Sequence, residues 1–63
     1  MLNKVLNLKE KISIINHSDL ADVKILDSNY RHLIYNTADT EEQKRFVILR
    51  TTTQLRIQEL THA

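Results

Sequence analysis

His17, His32 and His62 are the side chains best suited to hold a metal ion, and none stands four residues from another. The spacing that sets two imidazoles on one helix face is therefore missing. Asp19 and Asp22 lie near His17 and could form a loose cation site with it, but these types at a helix start serve more ordinarily as caps. Ser13 and Ser18 have no base placed to activate them. Glycine is absent from all 63 residues, which removes the phosphate-cradling loop and the nucleophile elbow, since both need its backbone freedom. The chain is expected to be no enzyme, with no catalytic residue, metal or cofactor.

Basic side chains offer a different chemistry. Arg45, Arg50 and Arg56, with Lys44, could reach phosphates while Thr52 and Gln54 approach base edges. Acids oppose this: Asp19 and Asp22 open one helical segment, Glu41 and Glu42 open the next, and the net charge is only +1. Acids at a helix end that must approach phosphate repel it. DNA binding through Arg45, Arg50, Thr52 and Arg56 is accordingly the alternative expectation. The stretch Tyr35-Asn36-Thr37-Ala38-Asp39 resembles a tyrosine and Ala-Asp segment of the Hha/YmoA family of small nucleoid-associated regulators. Thr40-Glu41 stands where that family has a basic pair, and the family's carboxy-terminal aromatic segment has no counterpart, so no function is carried across.

These side chains must be positioned by helices. Neither glycine nor proline occurs, and tight strand turns depend on both. Leu2, Val5, Leu8, Ile12 and Ile15 recur at helical spacing, which predicts a first helix over about 2–15. Asn16-His17-Ser18-Asp19 reads as a turn rich in capping oxygens. A second helix over about 19–36 places Leu20, Val23, Tyr30, Leu33 and Ile34 inward, with Asp27 the one acid on that stripe. Asp27-Ser28-Asn29 offers a break, because all three types favour caps over helix interiors. Asp27 and Arg31 are also spaced for a helical ion pair, as are Glu41 and Arg45.

Thr40-Glu41-Glu42-Gln43 matches the capping-box pattern and predicts a third helix over about 40–60. A competing strand pair draws on Phe46-Val47-Ile48-Leu49 and Thr51-Thr52-Thr53, which are rich in strand-favouring types. In the helix, Phe46, Leu49, Thr53, Ile57 and Leu60 line the inner side. Ile48 and Leu55 fall on nearly the opposite side with Val47 between, and one partner surface cannot cover both stripes.

Size sharpens that point. Folding a monomer of this mass removes roughly 6,500 Å² from water, perhaps 60% of it apolar. At about 25 cal/mol per Å² this contributes ~95 kcal/mol, against ~95 kcal/mol for ordering the residues. Small domains escape such a balance through disulfides, metals or self-association, and the chain has no cysteine. An all-α, single three-helix domain that self-associates as a homodimer or higher oligomer is expected. Its expected role is that of a small non-catalytic regulator or adaptor, contacting itself and another protein through Val47, Ile48, Leu55 and Arg56. Residues 1–16 carry +2, 17–39 carry −2 and 40–63 carry +1, a pattern suited to mutual packing. Lysines and asparagines interrupt the apolar positions of the first nine residues, so a secretory signal is not expected and a cytoplasmic location is.

Overall fold

The structure, a computed structural model, describes residues 7–62. Three helices follow in chain order: α1 (Leu8–Asn16), α2 (Leu20–Asn36) and α3 (Thr40–Thr61). No strand occurs among the described residues, and the threonine-rich segment once open to a strand pair continues as helix. Local bonding reconciles those threonines with a helix: Thr51 Oγ1 donates to the Val47 carbonyl and Thr52 Oγ1 to the Ile48 carbonyl, each at 2.9 Å. Tertiary packing then overrides a weak strand preference.

Every helix starts on a side-chain oxygen that accepts from free backbone amides. Asn7 accepts from the Glu10 amide at 2.8 Å, and Asp19 from the Asp22 amide at 2.9 Å. Asn7 is extended, with φ −77° and ψ 172°, so α1 begins at Leu8 and not near residue 2. Leu2 and Val5, assigned to its stripe from the sequence, lie outside the described residues.

The start of α3 also differs from the sequence reading. Asp39, not Thr40, is the cap, accepting from Glu41 at 2.9 Å and Glu42 at 3.4 Å. A carboxylate offers a full negative charge to the positive helix end, where a hydroxyl offers only a dipole. Gln43 is thereby released from a capping box, and its Nε2 donates to the Ile34 carbonyl at 3.2 Å. That bond ties the last turn of α2 to the first turn of α3.

Helix ends are reached without glycine. His17 and His62 cap α1 and α3 near φ −107° and −106° with ψ 2° and 8°, a region open to any residue. No described residue has positive φ. His17 Nδ1 lies 2.8 Å from the Ser13 carbonyl and Ser18 Oγ donates to the Ile14 carbonyl at 2.6 Å. Side chains of the α1–α2 turn therefore satisfy carbonyls that a glycine-based cap would otherwise handle.

Helix α3 packs against both others, most extensively against α2. Ile15 of α1, Val23 of α2, and Leu49 and Thr53 of α3 are fully enclosed. Half-buried Leu8, Ile12, Leu20, Tyr30, Ile34, Phe46, Ile57 and Leu60 surround them, as their spacing predicts. Leu33 departs from the predicted stripe and is exposed, while Leu26 is half-buried in its stead. The Tyr30 and Phe46 rings stack across α2 and α3 with centroids 6.3 Å apart. Burial pushes the Tyr30 phenol above its ordinary value of 10.0, because the neutral form tolerates desolvation better than the phenolate.

Helix α2 runs unbroken through Asp27-Ser28-Asn29. The reason is the direction taken by Asp27. Its carboxylate accepts from Thr53 Oγ1 at 2.8 Å and lies 3.8 Å from Arg50 Nε, so it does not compete for its own backbone. Asp27 faces α3 instead of pairing with Arg31 along the helix surface.

Candidate protein-contact surface

The residues singled out for chemistry divide into those committed to the fold and those left free. Arg56 belongs to the first group: its Nε and one terminal nitrogen donate to the Ser18 carbonyl at 3.3 and 3.2 Å. Another terminal nitrogen lies 3.6 Å from Glu59. The guanidinium thus clamps the α1–α2 turn onto α3, a bidentate use that lysine could not reproduce. Arg50 is committed through Asp27, and its Nε is buried without a hydrogen bond, held only by the nearby carboxylate. Thr52 gives its hydroxyl proton to its own helix.

Arg45 remains exposed, near Asn7, Leu8, Lys11, Glu42 and Phe46 around an opening of about 400 Å³ between α1 and α3. Two bases and one acid around a mixed apolar floor select no particular ligand. Asp19 caps α2, and His17 closes α1. Among the described residues no three His, Cys, Asp or Glu side chains gather as metal ligands would.

The exposed apolar residues are more telling. Val47, Ile48 and Leu55 retain 47%, 46% and 56% of their surface, and all stand on the side of α3 turned from Leu49 and Thr53. Burying the remainder of such a side chain is worth about 1 kcal/mol. Next to Val47 and Ile48, the last turn of α2 contributes Ile34, and the stems of Gln43 and Lys44 complete a shallow groove of about 490 Å³. Its walls are almost wholly apolar.

Other exposed apolar side chains do not gather in this way. Ile25 and Tyr35 on α2 are more exposed, at 60% and 79%, but ten residues, about 15 Å of helix rise, separate them. Isolated positions of this kind are ordinary on any surface. Leu55, Ile34 and the groove were separable in the sequence only in part. The outer stripe could be read from periodicity, whereas the contribution of Ile34 depends on how α2 meets α3.

No described helix is long and apolar enough to cross a membrane. No family model, curated protein or solved structure matches this chain, and the family that Tyr35–Asp39 resembles is among those without a match.

Proposed function

We propose that this chain is a small non-catalytic regulatory or adaptor protein that acts through helix-mediated protein–protein contact, beginning with contact between copies of itself. One observation carries the reading: Val47, Ile48 and Leu55 form an exposed apolar stripe on α3, remote from a core in which, among the described residues, Ile15, Val23 and Leu49 are the fully enclosed apolar side chains. A domain of this size gains much from covering that stripe.

The DNA-binding alternative draws no comparable support. Arg50 and Arg56 are engaged with Asp27 and Ser18, which leaves Arg45 and Lys44 beside Glu41 and Glu42. A functional test follows amide shifts of ¹⁵N-labelled protein across a dilution series. Concentration-dependent shifts should gather on the outer side of α3 and at Ile34. Shifts gathered instead around Ile25 and Tyr35, or none at any concentration, would remove the reading.

A further inference from the structure

The outer side of α3 has an order that selects its occupant. Lys44, Ile48, Thr51, Leu55 and Glu59 follow one another at spacings of four, three, four and four, so they fall along one flank of the helix. Lys44, Thr51 and Glu59 are exposed like the two apolar residues. Thr51 turns its hydroxyl into its own helix, bonding the Val47 carbonyl at 2.9 Å, so no unmet donor obstructs a dry contact there. The flank is apolar in the middle, with Lys44 one turn before that part and Glu59 one turn after it, while Glu41 continues the flank beyond Lys44.

From this order we infer that the surface is occupied by the α3 of a second copy, running antiparallel about a two-fold axis between Thr51 and Thr52. The inference rests on the contact surface proposed above and specifies its partner and arrangement. Antiparallel pairing about that axis sets Ile48 against the partner's Leu55, Thr51 against the partner's Thr52, and Lys44 against the partner's Glu59. Every one of these contacts occurs twice by symmetry. The partner's Leu55 enters beside Ile48, at the groove shared with Ile34 and Val47.

A parallel pair has the opposite electrostatics. It places Lys44 on Lys44 and Glu59 on Glu59, and like charges at a helical seam disfavour association. Small central threonines let the two backbones approach in either direction; the charges decide between them. Glu59 remains available for this role, being 66% exposed even with Arg56 beside it.

Sedimentation of charge variants and cross-linking in this cysteine-free chain test the arrangement. Lys44→Glu and Glu59→Lys should each weaken the dimer by about tenfold, since two attractive contacts become repulsive. The combined variant Lys44→Glu/Glu59→Lys should recover wild-type affinity. A short bis-maleimide should join Lys44→Cys chains to Glu59→Cys chains in a mixture, and should not join Lys44→Cys chains to each other. A dimer that cross-links through Lys44→Cys alone, or whose affinity ignores the charge exchange, overturns the antiparallel arrangement while leaving the contact surface standing. A wild-type chain that stays monomeric at every concentration overturns both.

Discussion

Replacing Asp27 by alanine should cost about 2 kcal/mol of stability, although aspartate is a poor residue for a helix interior. The Asp27 carboxylate accepts a 2.8 Å hydrogen bond from Thr53, whose side chain is fully enclosed, and it lies 3.8 Å from Arg50 Nε. A hydrogen bond to a charged acceptor contributes about 1.5–3 kcal/mol. The ion pair is partly exposed, with side chains at 33% and 24%, so it adds no more than about 1 kcal/mol. Alanine returns about 0.5 kcal/mol through helix propensity. The Arg50 carbonyl lies 2.6 Å from the same Thr53 Oγ1 and shares its single proton with Asp27, which keeps the hydroxyl from being stranded and sets the net at about 2 kcal/mol. For a domain of this size, the melting temperature should fall by about 8–16 °C.

The assay is thermal and urea unfolding followed by helical circular dichroism, at one fixed chain concentration because association shifts apparent stability. Asp27→Asn keeps an acceptor oxygen for Thr53 while losing the charge, and should cost about half as much. Asp27→Ala and Thr53→Val should be strongly non-additive, since each removes the same bond. An Asp27→Ala chain as stable as wild type would refute the view that this carboxylate joins α2 to α3 and holds α2 unbroken.

Two other positions give independent checks. Asp39→Ala removes the acceptor for two α3 amides and should destabilise by about 1 kcal/mol, whereas Thr40→Ala should change unfolding by less than about 0.5 kcal/mol; the reverse order would restore Thr40 as the cap. Tyr30 has its phenol pKa raised above 10.0 by burial, so the folded state resists its ionisation. The associated stability is present below the unfolded value and declines as pH rises through the folded one. Tyr30→Phe should remove that part of the alkaline loss, and an unchanged alkaline limb would show that Tyr30 contributes none of it.

Helix number, the outer stripe of α3 and, Leu33 apart, the described inner positions were legible because they follow from helical periodicity. Ile15, Val23, Leu49 and Thr53 recur at the spacing that places them inside, and they are the fully enclosed side chains among the described residues. What the sequence left open depended on direction. Asp27 could break α2, pair with Arg31 or cross to α3, and only the position of Thr53 and Arg50 decides among these. Asp39 and Thr40 are both good caps, one residue apart, and the backbone turn selects the carboxylate. Arg56 looked like a surface charge available to a ligand. Its long side chain instead reaches the Ser18 carbonyl, 38 positions away in the chain, a contact that no local pattern encodes.

Sedimentation equilibrium of wild type beside Ile48→Asp/Leu55→Asp, from about 10 µM to about 1 mM, tests the contact surface most directly. Both positions are about half exposed on the outer side of α3, so the variant should keep its helical signal. Wild-type mass should rise toward that of two chains with concentration while the variant remains a single chain. A wild-type protein that stays at 7.4 kDa throughout, or a variant that assembles equally well, would contradict the account.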